Sequence, residues 1–191
     1  MVKELARIIE IPEGVAVEIG DDATVTVTGP LGTVSRRLWY PGIEIRKEDS
    51  TLVVDAEITR KRHRSMAGTI AAHLKNMIKG VNEGFEYRMK AVYSHFPIQL
   101  KASKGELLIS NFLGERKPRS AKIMGGSQVE IKGDTVIVTG IDKELVGQTM
   151  ANIEQATKVR GFDIRVFRTG YIWGIRGYGL TFRGESSESS G

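Results

Sequence analysis

A chain of 191 residues is long enough for two small cores, and with 27% charged residues it sits near the globular average, which argues against wholesale disorder. It has no cysteine, which excludes disulfides and thiolate metal sites and fits a reducing compartment; the net charge of +5 favours polyanionic partners. The opening MVKELARIIEIPEG lacks the apolar core of a secretion signal and no apolar run reaches membrane-spanning length, so a soluble, intracellular protein is expected.

Residues 8 to 56 read as short strands. Val15, Val17 and Ile19 alternate with polar positions, as do Val25 with Val27 and Ile43 with Ile45, and Pro12-Glu13-Gly14, Gly29-Pro30 and Pro41-Gly42 mark turns. This predicts an antiparallel meander. From Lys61 to Asn82 the period changes, and Met66, Ile70, Leu74, Met77 and Val81 recur at helical spacing, predicting an amphipathic helix that buries its stripe on the meander. Arg60, Lys61, Arg62, His63 and Arg64 crowd the start of this helix. Cations there oppose the helix dipole at about 0.3–1 kcal/mol each, which makes more sense beside an external phosphate. A solvated charge run is the alternative.

The second half repeats the plan. ATVTVTGPLG ending at Gly32 matches GELLISNFLG ending at Gly114, and TLVV at 51–54 matches TVIV at 135–138. GTIAAHL at 68–74 matches GQTMANI at 147–153, and Gly84-Phe85 falls opposite Gly161-Phe162. The matches are collinear, so the expected architecture is α+β: two tandem domains of similar topology, each a small antiparallel sheet with one helix packed on one face. The expected limits are 1–82 for the first repeat, 83–184 for the second with its C-terminal segment, and 185–191 as a disordered GESSESSG tail. A second cation cluster, Arg116, Lys117, Arg119 and Lys122, follows Gly114, and Pro118 keeps it on a loop or strand edge. A second helix is expected over Asp142 to Val159, with Asp142 as N-cap and Leu145, Thr149, Ile153 and Ala156 on its packed face.

Lys158 to Arg183 then concentrates the charge. Its six basic residues (Lys158, Arg160, Arg165, Arg168, Arg176, Arg183) against Asp163 leave +5, equal to the whole chain's net charge. Phe162, Phe167, Tyr171, Trp173, Tyr178 and Phe182 interleave with them and with glycines. Guanidinium groups clamp phosphates, rings stack on bases and glycine permits close approach, so nucleic-acid contacts are expected from Tyr171, Trp173, Tyr178 and the segment's cations. The bland alternative is a terminal strand with core-facing rings.

Catalytic signals are poor. His63, His73 and His95 have no partners at metal-ligand spacing, and His73 reads as a flank of the packed helix face. Gly174, Gly177 and Gly179 lack the spacing and following helix of a dinucleotide loop. No cofactor and no metal are expected. Three readings stand: an RNA-binding structural protein, an RNA-processing enzyme on the same surface, and an adaptor using the near-neutral first repeat.

NMIKGVNEGFEYRMKAVYSHFPI at 76–98 resembles the segment joining the two domains of the large-subunit ribosomal protein six family, in the archaeal and eukaryotic branch whose eukaryotic member is numbered nine. Similarity continues in IPEGV at 11–15, TVTGPLGTVSR at 26–36, NFLGER at 111–116, VTGIDKELVGQ at 138–148 and QATKVRGFDIRVF at 155–167. The resemblance implies a non-catalytic structural constituent of the large subunit of the cytoplasmic ribosome, near the sarcin-ricin loop and the stalk base. Its implied partners are large-subunit rRNA, neighbouring large-subunit and stalk-base proteins and translational GTPases nearby, with no membrane. The family's C-terminal motif maps onto Gln155, Lys158, Asp163, Arg165, Phe167 and Gly170; Thr169 departs from the pattern, standing where the family leads one to expect Asp.

Overall fold

The computed structural model describes residues 3–4, 6–58, 61–92, 97–158 and 171–175. The first half forms strands β1 (Lys3–Glu4), β2 (Arg7–Glu10), β3 (Ala16–Ile19), β4 (Thr24–Gly29), β5 (Gly32–Arg37), β6 (Ile43–Glu48) and β7 (Thr51–Ile58), followed by helix α1 (Lys61–Asn82). The second half forms β8 (Phe85–Val92), β9 (Gln99–Ser103), β10 (Glu106–Ser110), β11 (Arg119–Lys122), β12 (Ser127–Lys132) and β13 (Thr135–Gly140). Helix α2 (Lys143–Ala156) and strand β14 (Tyr171–Ile175) follow.

All strand pairs are antiparallel, but each repeat divides its strands between two sheets. In the first, β3, β4 and β5 are joined by hairpins, whereas β2 leaves its neighbours and pairs with the distant β7, which β6 flanks on the other side. The second repeats this as β9-β10-β11 and β12-β13-β8, and β14 adds to the outer edge of β8. A core then forms between two sheets and a helix. Alternation places Val25 and Val27 of β4, Leu52 and Val54 of β7, and Leu74 of α1 in the first core, all fully buried. Their counterparts in the second core are Leu107 and Ile109, Val136 and Val138, and Ile153, also fully buried. Burying each such aliphatic side chain contributes about 1.5–3 kcal/mol.

The sequence matches thus fall on like elements, β4 on β10, β7 on β13 and α1 on α2; Gly161-Phe162 lies outside the described residues. Ile70 of α1 corresponds to Thr149 of α2, which is fully buried yet satisfied. Its hydroxyl donates to the Leu145 carbonyl at 2.8 Å and accepts from the Met124 amide at 3.0 Å.

Helix ends follow local chemistry. The Asp142 carboxylate accepts from the Glu144 amide at 2.8 Å, so the expected N-cap forms. The helix ends at Ala156 rather than at Val159, because the Thr157 hydroxyl donates to the Ile153 and Glu154 carbonyls at 3.0 and 3.1 Å and occupies acceptors of the last turn. Its buried face runs through Val146, Thr149 and Ile153, with Leu145 only half-buried. Helix α1 ends as Gly84, at φ 76°, donates to the Gly80 carbonyl at 3.0 Å.

That end meets the second half. A Cβ at Gly80 would lie 2.0 Å from the Ile141 carbonyl oxygen, so only glycine admits this approach. Arg36 of β5 forms an ion pair with Glu144, His73 lies 3.0 Å from Arg36 and 3.4 Å from Glu144, and Lys143 donates to Asn76 at 3.4 Å. His73 therefore flanks the packed face, as its position in the helix predicts.

Candidate nucleic-acid interface

The cation clusters sit in two places. Lys61, Arg62 and Arg64 are exposed on the first turn of α1, which carries no acid; Arg60 lies outside the described residues. His63 is held edge-on to Tyr40, with ring centroids 5.7 Å apart. At 1.5 Å per residue this cluster stands about 28 Å along the helix from Gly80, where α1 meets the second repeat.

The second cluster is built on an irregular turn. Asn111 and Leu113 adopt left-handed φ of 58° and 51°, Gly114 follows at 76°, and residues 114–118 are exposed before β11. Arg116, Lys117 and Lys122 are exposed, as required of groups that meet phosphate. Arg119 is different. Its guanidinium lies 4.1 Å from the centre of the buried Phe112 ring, donates to both oxygens of Glu115 at 2.6 and 2.8 Å, and donates to the Ala156 and Lys158 carbonyls at 2.9 and 3.2 Å. Those bonds hold the Glu115 carboxyl below its ordinary value of 4.5, chiefly through the Arg119 hydrogen bonds. Arg119 thus spends most of its donors inside the chain. It fastens the loop bearing Arg116 and Lys117 to the end of α2, where exposed Lys158 begins the basic-aromatic segment.

Of that segment, Tyr171 and Trp173 fall on β14, paired antiparallel with Val92 and Lys90 of β8. Arg160, Arg165, Arg168, Arg176, Tyr178 and Arg183 lie outside the described residues, as do Asp163, Phe167, Thr169 and Gly170. The second repeat therefore carries the exposed Arg116, Lys117, Lys122 and Lys158 together with the entry to the most basic part of the chain. Among the described residues, no group of three His, Asp or Glu is arranged to hold a metal ion, and no helix is long and apolar enough to cross a membrane.

A duplicated α+β scaffold with exposed cations at the root of an arginine-aromatic segment defines a class: a two-repeat α+β protein whose exposed cations suit a polyanionic partner. A family profile described as ribosomal protein L6 matches residues 11–84 and 96–170. The chain is 58% identical to the large ribosomal subunit protein uL6 of Methanothrix thermoacetophila over 89% of its own length and 96% of the relative's. It is 56% identical to that of Methanosarcina mazei over the same shares, and 52% identical to that of Methanobrevibacter smithii over 85% and 90%. The chain belongs to the ribosomal protein L6 family, in its archaeal and eukaryotic branch, and is a structural, non-enzymatic constituent of the large ribosomal subunit.

Proposed function

We propose that the second repeat anchors the protein to large-subunit rRNA near the sarcin-ricin loop and the stalk base, beside neighbouring stalk-base proteins and the docking region of translational GTPases. The observation that carries this reading is Arg119's attachment of the Arg116–Lys117 loop to the end of α2, which joins the second cation cluster to the root of the basic segment. Exposed cations on a rigid scaffold bind phosphate without first ordering themselves. On this reading 1–82 and 83–184 act as two units, the tail 185–191 takes no part, and Arg60–Arg64 is a secondary phosphate contact. Co-sedimentation with large subunits through high-salt sucrose, followed by cleavage of rRNA from probes tethered at Lys117, tests the proposal. Cuts clustered around the sarcin-ricin loop are expected; cuts elsewhere would move the site.

A further inference from the structure

The duplication lets each edge of one repeat be compared with the same edge of the other. Glu10 pairs with Thr51 and Lys90 with Thr135, at the starts of the equivalent strands β7 and β13. Ile8, Ile9 and Glu10 therefore stand where Arg88, Met89 and Lys90 stand, and Ile9 and Met89 are both buried, as the match requires. In the second repeat the outer edge is covered, because Ile175, Gly174 and Trp173 of β14 pair with those three residues. In the first, among the described residues, no strand lies on the outer edge of β2.

That edge has the form of a receiving strand. The Ile11 amide donates to the Ser50 carbonyl at 2.8 Å, and the alternation of an antiparallel ladder then turns the amides and carbonyls of Ile8 and Glu10 outward. Ile8 is 66% exposed, a large apolar side chain on an open edge where lysine or proline would be the usual protection. Concavities of about 760 and 340 Å³ lie between β2 and α1, and Ile8 and Lys75 line both, so the groove runs past the strand. Lys79 is tied to Glu83 at 3.7 Å, whereas Arg7 and Lys75 make no ion pair with any described residue. Glu10 at the other end likewise makes no ion pair with any described residue, so the uncommitted charge is net positive and its cations lie at the Arg7 end.

We infer that the edge of β2 docks an extended segment of another protein. The segment adds antiparallel to β2 as β14 adds to β8, sets an apolar side chain beside Ile8 and, on the alternate face toward α1, carries an acidic residue toward Arg7 and Lys75. Main-chain pairing selects a polypeptide over nucleic acid. A strand supplies donors and acceptors at the spacing that Ile8 and Glu10 present, whereas a phosphodiester chain would leave their carbonyls unmatched and meet the Glu10 carboxylate.

Hydrogen exchange on the full chain tests this, with a short peptide alternating isoleucine and aspartate as the probe. The Ile8 and Glu10 amides should slow by about tenfold or more, while Arg7 and Ile9, already turned toward β7, change less. A matched peptide with lysine for aspartate should not protect them. Ile8→Pro removes an outward amide without removing a bond to β7 and should abolish protection at an unchanged Tm; Ile8→Lys serves if the proline disturbs the strand. A photo-crosslinker at position 8 in assembled large subunits should capture a protein segment. No protection, protection that survives both substitutions, equal protection by the lysine peptide, or capture of rRNA would each overturn the inference. The exchange measurement is made on the free chain, so its failure is separable from failure of the rRNA reading.

Discussion

Replacing Gly80 with alanine pits helix propensity against the seam between the repeats. In an open helix interior the change gains about 1 kcal/mol. At Gly80 the new Cβ would stand 2.0 Å from the Ile141 carbonyl oxygen and 2.9 Å from the Phe85 ring. Ordinary contact needs about 3.5 Å, so the carbonyl must retreat by more than about 1 Å. That carbonyl immediately precedes the Asp142 cap, and its retreat strains the contacts of Lys143 to Asn76 and of Glu144 to His73 and Arg36. Overpacking of this kind costs about 1–3 kcal/mol or more, which outweighs the propensity gain. Gly147 of α2 is the matched control, since nothing lies within 4 Å of a Cβ built there. Urea unfolding should show Gly147→Ala stabilised by up to about 1 kcal/mol and Gly80→Ala destabilised. If both variants were stabilised alike, the seam described here would be wrong.

Arg119→Ala should cost about 1–3 kcal/mol through lost bonds to the Ala156 and Lys158 carbonyls, whereas Arg116→Ala should stay within about 0.5 kcal/mol and weaken rRNA binding; thermal melts and filter binding separate the two. Hydrogen bonds from Arg36 hold the Glu144 carboxyl below its ordinary 4.5, so its contribution is present above the unfolded value and is lost as pH falls through the depressed folded one. Because Glu144 is half exposed the effect is small and salt-screened, and the Tm difference between wild type and Glu144→Gln should shrink as the solution is acidified below about pH 4.5; a difference that grew would contradict it. Replacing Arg165, Arg168 and Arg176 together with alanine should weaken rRNA binding by several kcal/mol, at about 1.5–3 per charge-assisted bond, with little change in the Tm of free protein.

The helix over 61–82 was legible because its stripe, its change of period and Gly84 all act within a few residues of one another. The duplication was legible because the strand valines and the helix stripe recur in order. Sheet division was not, since β2 chooses β7 as partner across more than forty residues of chain, and no local pattern states that choice. The same holds for Arg36 and Glu144, 108 residues apart. Reading the face of α2 through Leu145 passed over Val146, its neighbour, because both are apolar and spacing alone does not separate them. Arg119 looked like the other cations of its cluster. Its distinguishing signals were Glu115 four residues before it and Phe112, an acid and a ring placed to hold a guanidinium. In the interface, residue types announce affinity for phosphate, and packing decides which of them remain available for it.

The central claim is that cations of the second repeat neutralise rRNA phosphates. Its most direct test is the salt dependence of binding to a large-subunit rRNA fragment containing the sarcin-ricin loop. With roughly four to six phosphates neutralised, log Kd against log salt should rise with a slope of about 3 to 5 by counterion release. A slope near zero would mean that these side chains face elsewhere and would contradict the account.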